Sequence, residues 1–559
     1  MRPHGLGPCR CELSGGTVKT ANNLRTRIAA VLCTSALLAT GCASDSSDDE
    51  EKGSGGSGSL SMDEIYRTGL VDVPEAAGEP TQGGTLTVAE YAEAVSLNPV
   101  QTYATGQTGM NVLAAIYDTL MRYDVESKTF EPRLAESLET TDNVTWTLKL
   151  RDGVKFSDGT TLDADAVVGS IEYYMANYGF QGTLIQANLK SMKATDKSTV
   201  EFTFKTPWAT FPNLLASGPG LIMAPAAYKN PEKFQPIGAG PFVLKSQAPG
   251  EKTIVAANED YIDGRPYLDE IEFVMVGADQ AKWESLRAGE VDMAYIRQDD
   301  VVQDVREAGY PAMVNAQSGV RILTLNAREG RPSSDVRVRQ AINYAIDAET
   351  YMERTTGNGE IADRGLIAEF SEWASDAEPV ETDPEKAKEL LEEAKADGYD
   401  GKITYLGQSD STSKDAAVAV KAMLEAVGFE VELDLVNNVA EQTKKVYIDG
   451  DFDMAIGATS IPDEDVYSRL YAALGSASMS NPGRYANPEM DKLLTDLQAA
   501  ASPEDGAEEM AAVEDLWRED VPYVNIAGGA FVNAWHDDVH GIVPTAESSI
   551  LFDKVWIED

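Results

Sequence analysis

From Gly83 onward the hydrophobic positions switch between two periods. "GGTLTVAEY" alternates apolar and polar residues and reads as a strand, whereas "GMNVLAAIYDTLMRYD" repeats its apolar residues at helical spacing. "NVTWTLKLRDGVKFSDG" reads as two short strands about Asp152-Gly153, a hairpin signal. "DADAVVGSIEYYMANY" opens on an acidic residue and continues as an amphipathic helix. "TIVAANEDYI", "DEIEFVMV" and "VDMAYI" are expected strands, with the helix "DQAKWESLRAGE" between the last two. A second run gives strand "VRILTLNA", helices "SDVRVRQAINYAID" and "DPEKAKELLEEAKADG", strand "GKITYL", helix "KDAAVAVKAMLEAVG" and strand "FEVELDLV". Strands alternating with helices predict an α/β architecture with at least two sheets.

Length changes this picture by dividing it. At 559 residues the chain exceeds one compact core, and two or three lobes are expected. A hydrophobic content of 43% supplies those cores and excludes global disorder. The net charge of −46 is spread along the chain, which disfavours binding to the phosphate backbone of nucleic acids. All four cysteines (Cys9, Cys11, Cys33, Cys42) precede the body, so it carries no disulfide, cysteine metal site or cysteine nucleophile.

The N-terminal pattern reads as export. Arg25 and Arg27 precede the apolar run Ile28–Ala39, which is too short for a bilayer span of about 20 residues. Residues 1–41 are read as a signal region, with Val18 as the native start. "LLATGC" resembles a bacterial lipobox ending at Cys42, with Ala39 where such motifs usually carry Leu. Cys42 is therefore the expected lipidation site. Residues 42–82 are the expected tether, of which Ala43–Ser59 is acidic and Gly/Ser-rich.

The order of motifs in the body carries a resemblance. "GGTLTVA…SLNPV", "TWTLKLRDGVKFSDGTTLDADAVVGSIEYY", "PIGAGPFVL", "NEDYIDGRPYLDEIEF", "LRAGEVDMA", "SDVRVRQAINYAID" and "NPEMDKLL" follow one another from about Gly83 to the C-terminus. This resembles the family 5 extracellular solute-binding proteins, receptors of ATP-driven importers for oligopeptides, dipeptides and nickel. The resemblance implies a two-lobed periplasmic-binding-protein-like fold with a hinge, closing over its ligand. It implies a first lobe of residues 83–111, 229–320 and 520–559, an inserted subdomain of 112–228 and a second lobe of 321–519. It also implies a small-molecule or peptide ligand, an ABC permease with separate ATPase subunits, a monomeric receptor held at the outer face of the cytoplasmic membrane, and no cofactor or catalysis.

Candidate ligand contacts follow from the same resemblance. In "FDMAIGATSIPDEDVYSRLY", the family's loop tryptophan falls near Thr459, and its ammonium-binding aspartate near Asp463, Glu464 and Asp465. A carboxylate suits an ammonium group through a charge-assisted hydrogen bond. The alternative is an acidic loop capping a helix that begins at Val466. Arginines that hold peptide carboxylates in some members are replaced near Tyr447 and Ile456, which favours ligands lacking a free carboxylate or peptides held by their backbone. Further loop candidates are Tyr91, Asn98 and Tyr103 from the first lobe, Gln408, Ser409 and Asp410 from the second, and Trp208, whose alternative is packing. The "GAGP" at Gly238–Gly240 reads as a close backbone approach.

Enzyme-like signals are weak. "STSK" at 411–414 lacks the companion motifs of penicillin-recognising enzymes. His536 and His540 are spaced for a helical metal pair but lie in a strand–turn–strand pattern. No nucleotide-binding P-loop is present. The expected ligand is a small peptide-like solute. An oligosaccharide or metal chelate is the alternative within transport, and an extracellular hydrolase the alternative outside it.

Overall fold

The computed structural model describes residues 60–558 apart from 95, 103, 105 and 107. The signal region, Cys42, residues 43–59 and Tyr103 lie outside the described residues.

Two unusually long strands organise the body. Ala312–Leu325 and Tyr523–Trp535 pair antiparallel from Ala312↔Ala534 to Thr324↔Tyr523. Both are almost wholly buried, including polar residues such as Asn315, Gln317, Asn525 and Asn533. The register shifts between Gln317 and Ile322, and Gly319 sits there at φ +64°. The strands therefore run through two half-sheets joined at a bulge.

In one half, Tyr523–Trp535 pairs with Met293–Ile296, followed by Thr85–Glu90, Glu270–Met275, Lys252–Ala257 and Phe242–Ala248. In the other, Ala312–Leu325 pairs with Met454–Gly457, followed by Lys402–Gln408 and Glu430–Val436. The architecture is thus α/β and two-lobed, with helices such as Asp279–Arg287, Val336–Ala345 and Ser411–Val427 covering apolar faces. A separate antiparallel sheet, in the order Ala135–Thr140, Thr145–Leu150, Thr199–Phe204 and Leu189–Ala194, packs with helix Ala164–Ala176 around its own core.

Several local expectations change. Asp152-Gly153 does not join a hairpin: Thr145–Leu150 pairs with Ala135–Thr140 and Thr199–Phe204 instead, and residues 154–162 turn on themselves through Phe156 N–H to the Thr160 carbonyl. Helix Met110–Tyr117 straddles the expected 111/112 boundary, yet it packs whole against Leu86, Val88 and Phe273 of the first half-sheet. Gly238 and Gly240 do pass close to that helix; a Cβ there would meet the Ile116 and Ala115 carbonyls at 2.3 and 2.4 Å.

The expected tether also ends earlier than residue 82. Ser61 caps the short helix Met62–Ile65 in a reciprocal capping box with Glu64. Gly69–Val71 then adds to the edge of the long strand opposite Ala312–Val314, the edge that Met454–Gly457 occupies beyond the bulge. Ile65 and Tyr66 are buried, because this segment lies over the hinge. Tyr66 donates to Asp299 at 3.3 Å on one side and stacks on Phe370 at 5.7 Å on the other.

Candidate ligand-binding cleft

Strand direction locates the cleft. Thr85–Glu90 and Met293–Ile296 run parallel, as do Lys402–Gln408 and Met454–Gly457. Both long strands reverse relative to their neighbours, so the carboxyl ends of the two parallel groups face each other across the bulge at Gly319. In open α/β sheets ligands bind outside those ends. Tyr91 and Arg297 leave the first half here, and Gln408 and Thr459 leave the second.

The loop after Gly457 is pinned to the bulge. Ser318 and Ile461 exchange backbone hydrogen bonds at 2.9 Å, and Thr459 donates its N–H to the Gly319 carbonyl at 2.9 Å. Gly319 is needed for this approach, since a Cβ would lie 2.0 Å from Thr459 Oγ1. Thr459 lines a cavity of about 570 Å³ with Ile322 and Tyr523, from the parts of the two long strands beyond the bulge, with Met479, and with Tyr178 and Phe180 of the smaller sheet's subdomain. The start of the 520–559 segment thus lies with the second half-sheet rather than the first lobe. The cavity walls are mainly apolar with a few polar groups, the usual composition of a small-ligand site.

The three acidic residues after this loop do different things. Asp463 accepts from Ser371 Oγ at 2.5 Å and from the Glu372 N–H at 3.2 Å, so it holds a neighbouring loop. Glu464 accepts the N–H of Glu547 at 3.1 Å. Asp465 faces Arg469 Nε at 3.3 Å, and Arg469 also pairs with Glu547. Asp465 precedes helix Val466–Leu474 but makes no side-chain cap bond to it. Glu547, at φ +63°, belongs to the 546–549 loop that covers the first half-sheet.

Two carboxylates, Asp465 and Glu547, thus share one guanidinium in a buried site joining the lobes, with Glu464 beside them on the Glu547 N–H. Burial, with Glu547 and Asp463 adding to it, pushes Glu464 up to about 7. Burial and Glu547 push Asp465 well above the ordinary carboxylate range, against Arg469. At the end of strand Thr85–Glu90, Glu90 is buried with Oε1 accepting from Asn111 at 3.0 Å, and burial pushes it to about 7. Glu90 Oε2, Gln317 Oε1, Asn533 Oδ1 and Glu547 Oε1 are buried acceptors without a hydrogen-bond donor among the described residues.

The other candidates separate into rim and scaffold. Tyr91 is partly exposed, and Arg297 lies over its ring at 3.9 Å. Asn98 is buried and uses its amide on Tyr173 Oη and the Val100 N–H. Gln408 ends its strand, Ser409 donates its N–H to the Val436 carbonyl, and exposed Asp410 caps helix Ser411–Val427 through the Ser413 N–H. Trp208 is fully buried in an aromatic cluster with Phe204, Phe211 and Tyr467, so it is core rather than a ligand platform. Sequence reasoning missed Glu90, Arg297, Arg469 and Glu547. Arg297 carried the one local signal, a cation directly after the apolar strand "MAYI".

Ser411 and Lys414 lie in the first turn of a helix capped by Asp410. His540 pairs with Glu558 at 3.1 Å, while His536 sits against the Tyr310 ring. Among the described residues no group of three metal-ligating side chains converges, and no helix is long and apolar enough to cross a membrane.

Residues 129–481 match the model of the bacterial extracellular solute-binding proteins, family 5 middle region. The oligopeptide-binding protein AppA of Bacillus subtilis is 27% identical over 480 residues, covering 80% of this chain and 87% of that protein. The nickel-binding periplasmic protein of Escherichia coli is 26% identical, covering 65% and 74%. The structure of AppA in complex with a nonapeptide superposes with a TM-score of 0.72 at 25% identity, covering 86% of this chain and all of that one. With facing strand ends, a bulged hinge and this match, the chain belongs to the family 5 bacterial extracellular solute-binding proteins and is a binding protein rather than an enzyme.

Proposed function

We propose that this chain captures a small peptide-like solute by lobe closure and delivers it to the permease of an ABC importer. The supporting observation is the buried excess of carboxylate over guanidinium at Glu464, Asp465, Arg469 and Glu547, contributed from both sides of the cleft. An ammonium group brought by a ligand would meet charge-assisted acceptors there. Contacts made by both lobes exist only when the lobes are together, so binding shifts the population toward closure. The relatives named for oligopeptides are in keeping with a peptide ligand.

The receptor is held at the outer face of the membrane through lipidated Cys42, acts as a monomer, and uses ATPase subunits separate from itself. Thr459 and Tyr91 are the proposed ligand contacts on the two rims, with Gln408 and Ser409 beside Thr459's lobe.

Native mass spectrometry of residues 43–559, purified gently and then denatured, tests the ligand. Release of many peptide-sized species supports the reading. Release of one discrete sugar or chelate keeps the transport role and removes the peptide.

A further inference from the structure

We infer that Arg297, whose guanidinium lies over the Tyr91 ring, receives a carboxylate of the ligand at the first-lobe rim of the cleft. The inference rests on the chain being a cleft-closing receptor and deepens that reading by naming one chemical group of the solute.

The backbone at this position is rigid. Arg297 is the first residue beyond strand Met293–Ile296, at a carboxyl end that faces the cleft. Asp279 Oδ2 accepts the N–H groups of both Arg297 and Gln298, at 2.8 and 2.7 Å. Two residues later, Asp299 reaches Arg321 across the bulge at 2.6 Å, which places this turn beside the hinge.

The side chain is both oriented and uncommitted. Its guanidinium lies 3.9 Å from the Tyr91 ring centroid, and Tyr91 in turn packs on buried Tyr295 at 6.5 Å. The cation–π contact restrains the guanidinium over the ring while its N–H groups remain available to a bidentate acceptor. Arg297 is exposed and makes no side-chain hydrogen bond or ion pair among the described residues. That is notable where Asp and Glu outnumber Lys and Arg by 92 to 46.

The neighbouring carboxylates are engaged elsewhere. Asp279 holds Lys282 at 2.6 Å, Glu90 holds Asn111, Glu93 accepts the Gly250 N–H at 2.7 Å, and Asp299 holds Arg321. Lys282 is the other cation near Tyr91, 5.6 Å from the ring, but it is buried and already bonded to Asp279 and the Tyr295 carbonyl. Arg297 is thus the cation at this rim that an incoming anion can reach. A carboxylate is the acceptor whose geometry matches its fork.

The full mature chain is titrated by calorimetry with two probe sets. One is di- to pentapeptides with free C-termini, each beside its C-terminal amide; the other is amino-containing non-peptide carboxylic acids, each beside its neutral amide. Wild-type protein is expected to bind the acid about tenfold or more tightly than the paired amide. Arg297→Gln is expected to abolish that preference without weakening the amide, and Arg297→Lys to restore part of it. Tyr91→Leu, which keeps the charge but removes its platform, is expected to reduce the preference.

Acid preference that survives in Arg297→Gln overturns the inference, as does wild-type protein that binds acids and amides equally or binds no acid from either set. Binding confined to non-peptide acids, with the preference lost in Arg297→Gln, upholds Arg297 and removes the peptide reading.

Discussion

Glu464 illustrates how a side chain acquires its properties from partners far along the chain. Its carboxyl is pushed up to about 7 from an ordinary 4.5 by burial first and by Glu547 next. The folded protein therefore binds more protons than the unfolded chain between those values. The stabilising contribution is complete below about pH 4.5 and is lost as pH rises through 7. Glu464→Gln, which mimics the protonated form, is expected to raise the melting temperature at pH 8, by the equivalent of about 1–3 kcal/mol, and to leave it almost unchanged at pH 4.5. Paired melts across that range check this; a constant difference would remove the proton from the explanation. Trp208 makes the opposite point. Wholly buried against Phe204 and Phe211, it is expected to cost about 3–5 kcal/mol in urea unfolding when changed to Ala. The cap at Asp163 was readable because a cap is a local event, whereas Asp410, expected at the ligand, caps a helix that starts three residues earlier than its pattern suggests. Glu547 was not readable, since nothing in "TAESS" announces an arginine 78 residues away.

Elements repeat this division between local and distant causes. Strands and helices with clear periodicity appear where the pattern puts them, as in Thr85–Glu90, Ala164–Ala176 and Ser411–Val427. Asp152-Gly153 misleads because turn chemistry specifies a reversal without specifying which strands pair; the partners of Thr145–Leu150 come from residues 135–140 and 199–204. Gly319 is a strict requirement of the bulge, combining φ +64° with the Thr459 contact. Gly319→Ala is expected to destabilise the protein by about 1–3 kcal/mol. Adding Thr459→Ala should recover the part owed to the clash but not the part owed to φ, which chemical denaturation of the single and double variants resolves. Gly69–Val71 guards a strand edge. A chain beginning at residue 73 is expected to melt several degrees below one beginning at residue 60 and to self-associate more, because Ala312–Val314 would be left unpaired. Light scattering of the two forms checks this.

At the scale of the whole molecule, charge and topology act separately. A net charge of −46 opposes compaction without choosing a fold. Raising NaCl from about 20 to about 300 mM is expected to lift the melting temperature by a few degrees as that repulsion is screened; a flat response would mean the charges are neutralised in local pairs. The two-lobed α/β class was accessible from alternating elements and motif order. The run of both long strands through the two halves was not, because hydrophobic periodicity marks a strand but not its neighbours. The segment Met62–Val71 has a mechanical consequence. It touches Asp299 and Ala312–Val314 on one side of the bulge and Phe370 and Asn358 on the other. Force entering the body at residue 60 therefore acts beside the pivot, where the lever arm for rotating either lobe is short. A pull applied at that residue would exert little torque on either half of the sheet.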